Sequence, residues 1–176
     1  MTGKTFFNKV ANGKGDVLGE LLAHLDNHKI SYCVIGGLAV NAYASPVISL
    51  DVDIVIAVEE FDRFQTTIPA EWSLRKERFS LNISTPYSEL RIQIQTDSRY
   101  HAFLQRATKQ ITLGYELNVA AIEDVLCGKI WAYTDPERRE TKRQKDYLDI
   151  MRLVESNPDI LNTPAGKLAQ NILRRK

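Results

Sequence analysis

The stretch SLDVDIVI, residues Ser49–Ile56, decides the fold because it begins the clearest strand in the sequence, which we predict to reach Val58. Side chains alternate along a strand, so Asp51 and Asp53 share one face. The opposite face is filled by apolar side chains, namely Leu50, Val52, Ile54, Ile56 and Val58. Residues two apart on a strand lie roughly 6.6–6.8 Å apart at Cα, so the two carboxylates can converge on a divalent cation.

This pair of carboxylates predicts a metal site. Two acidic groups so close on an apolar strand repel each other and are costly to desolvate unless a cation compensates them. Mg²⁺ (or Mn²⁺) suits such a pair, because magnesium takes one or two carboxylates together with substrate phosphates and water. The alternative is an exposed edge strand with one wet face, on which Asp51 and Asp53 are merely solvated.

A glycine pair lies about fourteen residues before Asp51. Ser31–Ile35 is predicted as a short apolar strand, Gly36-Gly37 breaks it, and 38–44 is predicted as a helix. Glycine lets the backbone approach a phosphate closely, and a helix N-terminus supplies free N–H donors. A tight turn that needs only positive φ is the alternative. A phosphate-binding turn beside a carboxylate pair is the minimum arrangement for phosphoryl or nucleotidyl transfer.

The remaining pattern places strands in the middle of the chain and helices in its C-terminal third. Asp16 is a plausible N-cap for a helix over 16–27, and Gly114 bends a hairpin over 110–119. Further predictions are helices over 59–68, 100–108, 122–133, 138–155 and 163–174, and strands with a hairpin at Thr85-Pro86 over 72–96. We therefore predict an α+β (α/β) fold, with a mixed-sheet core over 1–120 and a C-terminal helical extension over 121–176 packed on it.

Composition narrows the class of protein. The chain has 176 residues with 23 Lys and Arg against 22 Asp and Glu, so no overall field attracts it to nucleic acid or membrane. The two cysteines lack metal-ligand spacing and do not suggest a disulfide framework, so we expect the protein in a reducing cytosol. No apolar run is long enough to cross a bilayer and Met1–Asn12 does not resemble a signal peptide, so we expect a cytoplasmic protein without membrane contact.

Two groups of residues together resemble a known family. Gly36-Gly37 followed by Asp51-x-Asp53 resembles the signature of the nucleotidyltransferase superfamily, in its Gly-Gly form. IEDVLCGKIWA at 122–132 and RQKDYLDI at 143–150 are similar to the AbiEii-type nucleotidyltransferase-like proteins, which include toxins of type IV toxin–antitoxin systems and many bacterial relatives. The resemblance extends from about Ser31 to Val154.

The resemblance implies a nucleotidyltransferase-like sheet and a set of partners and site residues. The substrate would be a nucleoside triphosphate, the acceptor a hydroxyl of RNA, tRNA or a protein, and a further partner an antitoxin. Gly36 and Gly37 would contact the phosphates, and Asp51 and Asp53 would hold Mg²⁺. Lys129 would meet the triphosphate. Asp146 would be a further active-site carboxylate supported by Lys145 and Asp149, and Ser49 and Lys145 would also bind the nucleotide.

One position departs from the family. Active polymerase-like members usually carry a third carboxylate on a later strand, and the candidate strand here, LRIQIQTD at 90–97, has Gln93 or, in another register, Gln95. A glutamine oxygen is neutral, so it is a poorer base and metal ligand. Two hypotheses follow: an active nucleotidyltransferase, or a module on the same fold that binds a nucleotide or an antitoxin without turnover.

The residues themselves leave other interpretations open for the C-terminal helices. Lys142 with Asp146 and Lys145 with Asp149 are i,i+4 pairs, which are typical of a solvated face. The basic residues at 138–145 and the terminal Arg174-Arg175-Lys176 are candidates for RNA or phosphate contact. His24 and His28 share a helix face, but no Glu or Cys completes a zinc site.

Overall fold

The computed structural model describes residues 2–174, so the basic residues Arg175 and Lys176 lie outside the described residues. Within that range seven strands form one mixed sheet in the order β3-β4-β5-β2-β1-β7-β6. The strands are β1 (Tyr32–Ile35), β2 (Asp51–Ile56), β3 (Ser73–Lys76), β4 (Ser80–Thr85), β5 (Ser88–Gln95), β6 (Thr108–Thr112) and β7 (Tyr115–Val119).

Seven α-helices and three short 3₁₀ segments complete the described range. The helices are α1 (Gly3–Val10), α2 (Val17–Asn27), α3 (Gly36–Tyr43), α4 (Phe61–Thr67), α5 (Ile122–Thr134), α6 (Glu140–Ser156) and α7 (Pro164–Leu173). The 3₁₀ segments are Val58–Glu60, Ser98–Arg106 and Pro158–Asn162. The predicted mixed sheet flanked by helices is thus confirmed.

Strand β2 lies at the centre of the sheet. It pairs in parallel with β5 and antiparallel with β1, and Asp53 lies between Gln93 on one side and Ile35 on the other. The hypothesis of an exposed edge strand is therefore wrong. Val52, Ile54 and Ile56 are buried on one face of the strand. Val55, on the face that carries the two aspartates, is buried as well because helices cover the sheet beyond them.

Helices α3, α5 and α6 position the acidic end of β2. Helix α3 packs against β1 and β2, and α5 and α6 pack against α3 and against each other, with α7 alongside. The predicted boundary at 120/121 falls between the end of β7 at Val119 and the start of α5 at Ile122. The division into a core and an extension stays a prediction.

Several elements follow the sequence pattern closely. Asp16 caps α2, with its Oδ1 accepting from the Gly19 N–H at 2.9 Å. The hairpin between β6 and β7 turns at Leu113 and Gly114, both with positive φ, the geometry that tight two-residue hairpins require. Helices α5, α6 and α7 start and end within two residues of their predicted bounds.

Other elements differ from the prediction. The strand ends at Ile56, and Val58 is 60% exposed in a 3₁₀ turn instead of extending the apolar face. The segment predicted as a helix over 100–108 is the 3₁₀ segment Ser98–Arg106, and Thr108 already belongs to β6. Helix α1 was not predicted, although Thr2 caps it by accepting from the Thr5 N–H.

Candidate functional site

A cleft of about 190 Å³ opens where β1, β2 and β5 meet the helices α5 and α6. Five residues predicted from the sequence line it: Gly36, Asp51, Asp53, Lys129 and Asp146. The other four predicted residues, Gly37, Ser49, Lys145 and Asp149, are not among its lining residues. They lie close by, since Gly37 follows Gly36 and the Lys145 Nζ donates to the Ser49 Oγ at 3.1 Å.

The turn between β1 and α3 is fitted against Asp53. Gly36 has a φ of +67°, and a Cβ on it would overlap the Asp53 Oδ2 and lie 3.0 Å from Cγ. Only glycine meets both conditions, so the strained turn and the close approach hold together at this residue. At Gly37 a Cβ would meet nothing within 4 Å. No side chain caps the first turn of α3, which leaves its N–H donors able to bind an anion.

The two aspartates of β2 differ in how their charges are compensated. Asp51 accepts from the Arg91 Nε at 2.9 Å and lies 3.4 Å from the Lys142 Nζ. Asp53 is partly buried, and its carboxylate forms no hydrogen bond or ion pair with any residue in 2–174. Burial raises the pKa of the Asp53 carboxyl, the Lys129 ammonium opposes that rise in part, and the Asp51 charge reinforces it.

These features fit a divalent cation on the β2 pair. A carboxylate that has no direct hydrogen-bond or ion-pair partner and lies beside a second one is what a bound cation would neutralise. Residues 2–174 contain no group of three or more His, Cys, Asp or Glu side chains arranged to hold a metal. A site on β2 would therefore rest on the pair Asp51 and Asp53, a set suited to Mg²⁺, which completes its shell with water and phosphate oxygens.

A second acidic pair faces β2 from α6. Asp146 and Asp149 are 1% and 3% exposed, and Lys129 of α5 bridges them, with its Nζ 3.1 Å from the Asp146 Oδ1 and 2.7 Å from the Asp149 Oδ2. The Arg138 Nη2 lies 2.8 Å from the other oxygen of Asp146, Oδ2, and the Arg152 Nη1 lies 2.7 Å from the other oxygen of Asp149, Oδ1. Burial alone would lower the pKa of Lys129, but the carboxylates of Asp149 and Asp146 raise it above its usual value.

The i,i+4 pairs read from the sequence on α6 do not form, so the interpretation of this face as solvated salt bridges is wrong. Asp146 and Asp149 turn inward to cations from α5, from the α5–α6 turn and from the next turn of α6. Instead, Lys142 contacts Asp51 of β2, which lies 91 positions earlier in the chain, and Lys145 donates to Ser49, which lies 96 positions earlier.

Two arginines tie this helical side to the rest of the site. The Arg152 Nη2 donates to the Asn41 Oδ1 at 2.8 Å, and Asn41 in turn holds the N–H and carbonyl of Val47, both at 2.9 Å. The loop that leads into β2 is thereby fixed to α6. Arg143 donates to the carbonyls of Tyr133, Asp135 and Arg138, so it fixes the α5–α6 turn that carries Arg138.

The register of β5 identifies the residue beside Asp53. Gln93 is its direct neighbour across the parallel ladder, and its side chain forms no hydrogen bond within residues 2–174. The Gln95 Oε1 is occupied by the N–H groups of Thr96 and Asp97 at 3.0 and 3.1 Å. Gln93 therefore stands where the family's third carboxylate was expected.

Sequence reasoning missed part of the cleft. Tyr100, from the 3₁₀ segment, lines it, and no motif in the sequence marks this residue. Arg91 was visible on the polar face of a strand, but its partner Asp51 lies 40 positions away. The His24 and His28 rings lie 4.3 Å apart between centroids with their planes tilted by 38°, and the His24 Nε2 pairs with the Thr67 Oγ1. They belong to no metal cluster in residues 2–174.

Comparison with solved structures defines the class of fold. The chain is similar to an antigenic nucleotidyltransferase-like protein from Paracoccidioides brasiliensis, at a TM-score of 0.59 and 18% identity over 97% of this chain and 88% of that one. It is also similar to ANT(2″)-Ia in complex with adenylyl-2″-tobramycin, at 0.59 and 13% over 90% and 96% of the two chains. For the lincomycin-bound lincosamide adenylyltransferase LnuA the values are 0.56 and 10% over 81% and 99%. The chain thus has a nucleotidyltransferase-like fold.

The family is given by a match over residues 56–176, more than half of the chain, to the model described as nucleotidyl transferase AbiEii toxin, type IV toxin–antitoxin system. The chain belongs to this family, as the sequence resemblance predicted. The matched range contains Lys129, Asp146 and Gln93 but begins after Asp51 and Asp53. No curated protein matches the chain in a sequence search. Within residues 2–174 no helix combines the length and apolar character needed to span a bilayer.

Proposed function

We propose that the chain is a Mg²⁺-dependent nucleotidyltransferase that transfers a nucleoside monophosphate from a triphosphate to a hydroxyl of an acceptor. The observation that carries the proposal is the Asp53 carboxylate. It is partly buried and unpaired among the described residues, and it lies against a glycine turn whose helix N-terminus is uncapped. A cation and a polyphosphate satisfy both the acidic pair and the free N–H groups at once.

The residues of the cleft divide into three tasks in this proposal. Asp51 and Asp53 would hold Mg²⁺, which when bound supplies charge neutralisation to the phosphates. The N–H groups that begin α3 at Gly36 and Gly37 bind phosphate oxygens. Lys129 and the neighbouring cations keep the triphosphate in place, with Lys145 and Ser49 supporting β2.

The transfer step needs a base. The acceptor oxygen attacks the α-phosphorus, the bond to pyrophosphate breaks, and the hydroxyl proton must leave. Gln93 cannot take that proton because its amide is neutral. Asp146 lines the same cleft as a carboxylate, and the proposal gives it this role once the triphosphate has drawn its present partners, Lys129 and Arg138, onto the phosphates.

The size and charge of the cleft favour a polyanionic acceptor. A volume of about 190 Å³ is smaller than the ~300–1,000 Å³ typical of sites that enclose a whole small molecule. In the proposal the phosphates of the nucleotide fit inside the cleft, and its nucleobase and the acceptor lie at the mouth. Arg138 and Lys142 line the cleft with side chains 36% and 38% exposed, and Arg91, 67% exposed, contacts Asp51 as Lys142 does. They favour the 3′ end of an RNA such as tRNA over a protein hydroxyl.

Label transfer tests the proposal. The protein is incubated with Mg²⁺ and each α-³²P-labelled NTP, with total RNA or alone, and we expect label to enter RNA from at least one NTP. Asp53→Asn keeps the shape of the side chain and should reduce transfer at least about a hundredfold. Asp62→Asn, an exposed aspartate on α4, is the matched control. Equal ATP binding by wild type and Asp53→Asn, with no transfer by either, contradicts the proposal.

Gln93 favours a second candidate, a protein on the same fold that binds the nucleotide or an antitoxin without transfer. The variant Gln93→Asp restores a carboxylate beside Asp53. If wild type binds Mg²⁺–NTP and transfers nothing while Gln93→Asp transfers label, the second candidate is supported. Transfer by wild type at a rate that Gln93→Asp does not increase contradicts it.

A further inference from the structure

Tyr100 is a polar residue of the cleft that the proposed chemistry has not used. It belongs to the 3₁₀ segment that follows β5, lines the same cleft as Asp53, and is 9% exposed. Its hydroxyl has no hydrogen-bond partner within residues 2–174, yet it is not sealed from solvent as the hydroxyls of Thr85 and Thr112 are. A side chain so deeply buried normally has its polar atom paired, so this one is poised for a ligand.

Packing fixes the ring and leaves only its hydroxyl end for binding. Phe103 and Trp131 contact Tyr100 edge to face, with centroids 5.2 and 5.4 Å away. Gly128 of α5 leaves the room, because a Cβ there would lie 3.3 Å from the Tyr100 Cε1 and 3.9 Å from its Oη. A ring enclosed in this way cannot act as a stacking platform for a base.

The hydroxyl is a neutral donor. Burial raises the pKa of Tyr100 to about 12, so the proton stays on the oxygen at physiological pH. The charges of Asp53 and Arg138 act on it, in agreement with their shared place in the cleft. A donor that carries no charge complements the cations there without adding repulsion among them.

We propose that the Tyr100 hydroxyl donates a hydrogen bond to the polyphosphate of the bound nucleotide, an inference that rests on the proposed function. The charged donors that line the cleft are Lys129, Arg138 and Lys142, all suited to phosphate oxygens. The small volume admits phosphate groups in preference to a base, and the enclosed ring offers nothing else to a ligand. Tyr100 is therefore a binding residue for the triphosphate.

Tyr100→Phe removes the oxygen and keeps the ring. Binding of Mg²⁺ with each NTP, and of Mg²⁺ with inorganic triphosphate, is measured by calorimetry on wild type and variant. We expect the dissociation constants for inorganic triphosphate and for the NTP that binds to rise by a similar factor, about tenfold to a hundredfold. The ligand-free melting temperature should stay within about 2 °C of wild type.

The control is Tyr32→Phe, whose hydroxyl lies 3.4 Å from the Asn118 N–H outside the cleft, and it should bind as wild type does. Unchanged binding by Tyr100→Phe overturns the inference alone, as does weaker NTP binding with normal binding of inorganic triphosphate. A fall in melting temperature that accompanies weaker binding overturns it too, since the hydroxyl would then be structural. A wild-type protein that binds no triphosphate overturns the proposed function and the inference with it.

Discussion

The acidic pair on β2 and the acidic pair on α6 are built in opposite ways. Asp146 and Asp149 on α6 are more deeply buried, and Lys129, Arg138 and Arg152 account for all four carboxylate oxygens. The pair on β2 is less buried, yet Asp53 has no cationic partner within hydrogen-bonding distance among the described residues. Burial alone does not distinguish a carboxylate that already has charged partners from one that awaits a ligand; the charge around it does.

The two acidic pairs therefore have different roles in the structure. The helical pair holds α5, α6 and the loop before β2 together, through Lys129 and through the contact of Arg152 with Asn41. The pair on β2 depends on these helices for its position. It lowers the stability of the fold locally, since two neighbouring carboxylates are held close together in a partly buried site. Breaking each side should therefore change different properties.

The largest effect should come from Asp149→Asn. The change leaves the buried Lys129 and Arg152 each without one charged partner, and removing one member of a buried ion pair costs about 3–5 kcal/mol. Urea unfolding at pH 7 should show this loss in the free energy of unfolding. Glu140→Gln is the control. Glu140 pairs with Arg143 through a side chain that is 70% exposed, so this change should alter the free energy of unfolding by less than about 1 kcal/mol. Equal effects of the two changes would refute the contrast.

A smaller effect should follow from Gly36→Ala. The new methyl group meets the Asp53 carboxylate at a residue with positive φ, and such strain costs about 1–3 kcal/mol. Gly37→Ala, next to it, faces open space and should change stability by less than about 1 kcal/mol. Chemical denaturation of the two variants measures the difference. A Gly37→Ala protein that loses as much stability as Gly36→Ala would contradict the described turn.

The smallest effect should be a pH dependence of stability that Asp53 introduces. Its pKa is raised in the folded protein, so the stability that is fully present below the ordinary Asp pKa, about 3.9, is lost as pH rises through the folded-state pKa. Asp53→Asn stays neutral, so without metal it should become more stable than wild type as pH rises towards 8. Denaturation midpoints in EDTA from pH 4.5 to 8 measure this. Parallel curves for the two proteins would show that the charge at Asp53 is already balanced.

Local patterns were sufficient for most of the fold. The alternation around Asp51 predicted a strand, the position of Asp16 predicted a cap, and Gly114 predicted a hairpin, because each depends on neighbouring residues only. The central place of β2 could not be read from the sequence, since strand order depends on contacts between distant segments. The 3₁₀ segment at 98–106 was taken for a helix because both repeat their side chains every three to four residues.

The site was predictable where chemistry sits in short motifs and not where partners come from afar. Gly36, Asp51 and Asp53 are identified by spacing, whereas Lys129 and Asp146 depended on family resemblance. The i,i+4 rule failed on α6 because it describes an isolated, solvated helix, and here α5 packs against the charged face. Nothing in the sequence distinguishes Tyr100 from a tyrosine of the core, because its role depends on which end of the ring the fold leaves open.

The cleft joins residues that are far apart along the chain, as the contact between Lys142 and Asp51 across 91 positions shows. During synthesis, β2 leaves the ribosome long before α6 does. A nascent chain that ends before Glu140 carries the two aspartates without the helix that faces them, and so it has no complete site. The cleft therefore forms only after α6 has been synthesised and has packed beside β2.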